Sequence, residues 1–232
     1  MQRTLRDHWA CALALTALLS GCPRDPRGAN DGGDAPHLFP STEQAVQQAK
    51  RDLVDVLRMD GAVSLGLDPA MVERATPGLP VERVEVDFAQ LLAADGSKGL
   101  DALGGAPRST VVPLMFEQRA ITIVEVESRS NGVRVVGLAG QDIARDLTQL
   151  DAVGDPRANR KVTLYEVPNL QARIYGVRTS DDPSERYFTT YRGRFALTDG
   201  VSADALVPVL RDDALAFQRE YGERLKRERL VR

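Results

Sequence analysis

ITIVEVESRSNGVRVVGL, residues 121–138, decides the fold. Residues 121–128 and 133–138 are rich in β-branched side chains, which pack well on a pleated surface. Asn131-Gly132 stands between them, the pair preferred at the centre of a two-residue type I′ turn. The stretch therefore predicts a β-hairpin.

Working outward from the hairpin, Val84, Val86 and Phe88 alternate and read as another strand. Residues 96–107 are small and Gly-rich, which predicts a mobile loop. Downstream, Ile143, Leu147 and Leu150 recur at helical spacing and predict one short helix. Three more strands are expected over residues 161–167, 170–178 and 186–192. Pro168-Asn169 and residues 181–183 supply the turns between them.

Both ends of this β-rich region read as helices. Ser41 followed by Gln44 resembles a capping box. Val46, Ala49, Leu53, Val56 and Leu57 then share one stripe, with Gly61 as the stop. Asp68-Pro69 opens a short second helix that Pro77-Gly78 ends. At the other end Leu210, Ala214, Phe217, Tyr221 and Leu225 form a stripe, and Pro208 suits its first turn. Short turns favour antiparallel pairing. The expectation is a single α+β domain over residues 41–232. Its mainly antiparallel sheet packs against N- and C-terminal amphipathic helices that cover one face.

Residues 1–22 have the three parts of an export signal. Arg3 and Arg6 give a positive start, residues 9–19 form an apolar run, and Leu19-Ser20-Gly21-Cys22 follows. The run is well short of the ~20 residues that span a bilayer. Leu19-Ser20-Gly21-Cys22 resembles the lipobox of bacterial lipoproteins at every position. The resemblance covers the first 22 residues only. It implies cleavage before Cys22, a diacylglycerol on its sulfur and acylation of its amino group. Residues 1–21 are then a signal peptide, and residues 22–40 a lipidated start and tether rich in Pro, Gly and Asp. Two or three acyl chains anchor stably where one is marginal. A flexible tether of this length has a root-mean-square span of about 20–25 Å. The expected location is the bacterial cell envelope, close to a membrane, with inner or outer membrane left open.

Composition bears on the chemistry. The formal net charge is −3, with two cysteines, two histidines and one tryptophan. Such a balance argues against a nucleic-acid partner, whose recognition needs a concentrated basic footprint. Cys11, His8 and Trp9 lie in the signal and His37 in the tether, so residues 41–232 hold no histidine or cysteine. That speaks against histidine-activated nucleophiles and against zinc and most redox metals. No metal or cofactor is expected. Asp181-Asp182 with Glu185 lacks the spacing of a calcium loop, and no phosphate loop or dinucleotide fingerprint is present.

Carboxylates could still work in pairs, as in glycoside hydrolysis. However, Asp212 and Asp213 diverge on a helix, and Glu125 and Glu127 lie on an outward strand face. For binding, Tyr187, Tyr191, Arg192 and Arg194 form a candidate patch for a protein, peptide or anionic glycan. The basic tail from Arg224 to Arg232 suits a solvated helix end or anionic headgroups. The functional expectation is a non-catalytic envelope lipoprotein contacting a protein or another envelope component. The alternative is a carboxylate-dependent hydrolase of cell-wall or surface polysaccharide.

Overall fold

A computed structural model describes residues 37–59, 66–153, 160–180, 182 and 184–227, with side chains of the last helix described to residue 222. The segment read as an export signal, Cys22, most of the stretch read as a tether, Gly61 and the basic side chains from Arg224 onward lie outside these residues.

Helix α1 (Thr42–Arg58) begins where Ser41 Oγ accepts a hydrogen bond from Gln44 N–H, satisfying a donor that every helix start leaves open. It buries Ala45, Val46, Ala49, Leu53 and Val54. Val56, placed in the stripe by its spacing, is 44% exposed. At 3.6 residues per turn the buried face runs on through Leu57, and Val56 turns off it. Helix α2 (Pro69–Arg74) is capped by Asp68, and strands β1 (Thr76–Pro77) and β2 (Val81–Glu85) follow. The alternation through Phe88 does not persist as strand. Asp87 accepts from Gln90 N–H and opens helix α3 (Phe88–Ala93), so Phe88 is helical. The supposed mobile loop contains helix α4 (Leu100–Leu103), held down by its buried Leu100 and Leu103.

The remaining elements are β3 (Ser109–Phe116), β4 (Arg119–Arg129), β5 (Gly132–Leu138), α5 (Gln141–Val153), β6 (Arg160–Val167), β7 (Ala172–Thr179), β8 (Arg186–Phe188) and α6 (Ala203–Arg227). Eight strands make one sheet in the order β5-β4-β3-β2-β6-β7-β8, with β1 also beside β3. Every pairing is antiparallel except β2 with β6. The fold is thus a single α+β domain with a mostly antiparallel sheet.

Strand β3, over a stretch for which no strand was expected, contains Pro113, a residue that cannot donate to a ladder. Its position removes the conflict. β2 pairs as far as Val111 and β1 resumes at Leu114, so the missing N–H falls between two ladders. There the Pro113 carbonyl accepts from Gly78 N–H.

The β4–β5 loop also differs from expectation. Arg129 pairs with Gly132, so the loop is Ser130-Asn131 rather than Asn131-Gly132. Gly132 has φ +145, and a Cβ there would lie 2.8 Å from the Phe39 carbonyl oxygen. Phe39 and Val133 exchange backbone hydrogen bonds, and this close crossing is what requires glycine. Two successive left-handed residues, as a type I′ turn needs, occur instead at Glu117-Gln118 between β3 and β4.

Pro208 is the sixth residue of α6 rather than part of its first turn. Leu206 and Val207 just before it are fully buried, and that packing offsets the hydrogen bond proline cannot donate. The 186–192 strand is likewise shorter than expected. After Phe188, Thr189 Oγ1 donates to the Arg173 carbonyl and accepts from Tyr191 N–H. A side chain thereby replaces the ladder, and the chain turns into a 3-10 segment at Tyr191–Gly193.

Helices cover both faces of the sheet, not one. The registers Val84↔Tyr165, Glu82↔Thr110 and Val112↔Val124 place those residues on a common face. One end of that face packs on α3, α4 and α6, the other on α1 and α2. The opposite face carries Val81, Val111, Ile123, Leu164 and Tyr175, packed against Ile143, Ala144, Leu147 and Leu150 of α5. Near-continuous apolar runs such as residues 109–116 mark strands buried on both sides.

Candidate functional site

Beside α5 the second face turns polar. Arg83 reaches out from β2 and donates to both Glu125 oxygens, at 2.8 and 2.7 Å, and to Glu166 at 2.8 Å. Ser109 also donates to Glu125. Glu125, placed on an outward face by sequence, is in fact only 15% exposed at its side chain and neutralised by this guanidinium.

Next to this band lies a cleft of about 460 Å³. Asp146 enters it from α5, Glu166 from β6, Arg173 and Tyr175 from β7, and Tyr191 and Arg192 from the 3-10 segment. Strand periodicity aims Arg173 and Tyr175 the same way, two residues apart on β7. One helical turn separates Asp142 and Asp146, so both face Arg173. Arg173 donates to Asp142 at 2.6 Å and to Asp146 at 3.3 Å, and the Tyr175 hydroxyl donates to Asp146 at 2.8 Å. Burial raises the Asp142 carboxyl, but hydrogen bonding and charge from Arg173 outweigh it and hold the group below the usual carboxylate range. Burial, then the Asp146 charge, pushes the Tyr175 hydroxyl well above its ordinary value.

On the far wall Arg192 donates to Asp213 at 2.9 Å and lies 5.6 Å above the Tyr191 ring. Arg192 has φ +50, an uncommon conformation for a side-chain-bearing residue. Burial, followed by the neighbouring Asp213 carboxylate, pushes the Tyr191 hydroxyl up to about 12. Asp213 is buried while Asp212 is exposed, as adjacent helical positions dictate.

The four candidate residues do not form one exposed patch. Tyr191 and Arg192 line the cleft. Tyr187 is 1% exposed and sits on the other face of the sheet. Its hydroxyl donates to Glu185 at 2.9 Å and accepts from Leu100 N–H at 2.9 Å. Arg194 is exposed, and its backbone N–H closes the turn onto the Tyr191 carbonyl. Arg173, Asp146, Asp142 and Glu166 were missed by sequence reasoning. The legible signal was the Asp142/Asp146 pair at helical spacing, which became meaningful only once β7 was known to lie alongside.

Glu185 does not join Asp182 in a cation loop. Its carboxylate accepts from the Tyr165 and Tyr187 hydroxyls and faces Arg178, with its side chain 6% exposed. Asp182 instead accepts from Ser184 N–H, and Asp181 lies outside the described residues. Among the described residues no helix is long and apolar enough to cross a membrane. Comparisons with known protein families, curated proteins and solved structures found no match to this chain.

Proposed function

We propose that this chain is a membrane-anchored envelope lipoprotein, held by lipid on Cys22, that binds a protein or another envelope component without turning it over. The cleft lined by Arg173, Tyr175, Tyr191 and Arg192 is its recognition surface. One observation carries this reading: the charged groups that line the cleft already have partners, within it or beside it. Asp146 accepts from Arg173 and Tyr175, Glu166 from Arg83, and Asp213 from Arg192. Carboxylates whose oxygens already accept from guanidinium and hydroxyl donors fix the shape and polarity of the surface they line. A cleft of about 460 Å³ with aromatic walls and fixed polar groups suits recognition.

The second reading, a carboxylate-dependent hydrolase of polysaccharide, draws on Asp146 and Glu166 lining one cleft. Their existing hydrogen bonds, Asp146 with Arg173 and Tyr175 and Glu166 with Arg83, count against it.

The test combines metabolic fatty-acid labelling with crosslinking in intact cells. Wild type takes up label and Cys22→Ala does not. Arg192→Ala and Tyr191→Ala keep the label but lose the crosslinked partner. Absence of label on wild type overturns the anchor. Polysaccharide hydrolysis that disappears in Asp146→Asn overturns the binding reading in favour of the enzyme.

A further inference from the structure

A second cleft, of about 470 Å³, opens between the β3–β4 hairpin, α2 and α5, and its chemistry differs from that of the first. Leu67, Met71, Phe116 and Ile121 form its floor, all only partly buried. Arg119 enters from the start of β4 and Arg145 from the second turn of α5. Both are exposed, and neither guanidinium has a carboxylate partner among the described residues. In the first cleft, by contrast, Arg173 and Arg192 are each neutralised by an aspartate.

The other polar groups around this second cleft are largely committed. Thr148 Oγ1 accepts from Ala120 N–H and contacts the Ala144 carbonyl. Asp68 is occupied capping α2 through Ala70 N–H. Glu117 stands exposed at the tip of the hairpin. Among the described residues, what remains is two cations from different elements without a carboxylate partner, above a half-exposed apolar floor.

We propose that this cleft binds a small organic anion: a carboxylate or phosphate monoester held between Arg119 and Arg145, with an apolar chain on Phe116, Met71, Leu67 and Ile121. Guanidinium groups are planar forks that match such oxyanions. The volume falls in the ~300–1,000 Å³ range of small-molecule sites and far exceeds what an inorganic ion fills. The apolar floor selects against acetate or free phosphate, and the arginines against a neutral alcohol. Because this cleft shares no lining residue with the first, the inference stands or falls separately from the reading given above.

The test is titration calorimetry on the full chain carrying Cys22→Ala, so that no acyl group competes. The probes are octyl phosphate, octanoate, octanol, inorganic phosphate and acetate. Both octyl anions bind, octanol and the small anions bind at least tenfold more weakly, and affinity falls with added salt. Arg119→Gln and Arg145→Gln each weaken octyl phosphate about tenfold, the loss expected for one charge-assisted contact. Arg51→Gln, on the exposed side of α1, leaves it unchanged. Thermal midpoints equal to the parent's show that the variants are folded, and Arg145→Glu supplies a second charge test. Three results overturn the proposal: no binding of either octyl anion, equal binding of octanol, or unchanged affinity in the double Arg119→Gln/Arg145→Gln chain. In the first of these cases, binding to anionic phospholipid vesicles instead assigns the two arginines to a lipid surface.

Discussion

Gly176 on β7 leaves the space that the Glu185 carboxylate fills. A Cβ at this position would lie 2.5 Å from Glu185 Oε1 and 2.7 Å from Tyr165 Cε2. Gly176→Ala therefore displaces a buried, hydrogen-bonded carboxylate and costs about 1–3 kcal/mol, read as a lowered urea midpoint. An unchanged midpoint would show that Glu185 moves freely. In the first cleft the Asp142–Arg173 pair makes stability depend on acid. The Asp142 carboxyl is depressed in the folded chain, so its contribution is present above the unfolded value of about 3.9 and lost as pH falls through the folded one. Arg173→Gln removes that linkage. The gap in urea midpoint between wild type and Arg173→Gln narrows between pH 7 and pH 2.5, and a constant gap would refute the coupling. Neither feature was readable beforehand. Gly176 looks like any strand glycine, and Asp142 meets a partner 31 residues away.

Among the elements, caps and stripes were legible and partners were not. Ser41 and Asp68 start helices as their side chains dictate, because a cap acts within three residues. Asp87 carried the same signal, but the alternation Val84-Val86-Phe88 masked it until Gln90 N–H was seen to bond it. The 121–138 hairpin formed where expected, yet its turn slid back by one residue. At this point the 37–40 segment crosses the hairpin, with Phe39 lying across Gly132. Gly132→Ala should open this crossing and cost at least about 1 kcal/mol, since φ +145 disfavours any side chain. Limited proteolysis should then cut residues 37–41 faster than in wild type. An unaltered digest would mean that Phe39 contributes nothing to holding the segment.

At the scale of the whole molecule, one sheet joins three apolar clusters. Leu210 belongs to the first, Leu114 to the second and Ile123 to the third. β3 and β4 supply side chains to the second and third at once, so those clusters share strands rather than merely adjoining. Leu210→Ala and Leu114→Ala should each lower a single common unfolding transition by about 2–5 kcal/mol. Circular dichroism melts that split into two steps would show that the halves of the sheet unfold independently.

Periodicity, caps and β-branched runs are local, acting within a few residues, and for that reason the sequence alone pointed to an α+β domain with terminal helices and with most, not all, of its strands near their true places. The absence of histidine and cysteine from residues 41–232 was equally plain, being a matter of composition. Only the tertiary structure decided the parallel β2–β6 pairing, the use of both sheet faces and the meeting of Arg173 with Asp142 and Asp146. Those depend on contacts between residues tens of positions apart, where backbone pairing and shared burial, rather than spacing along the chain, select the neighbour.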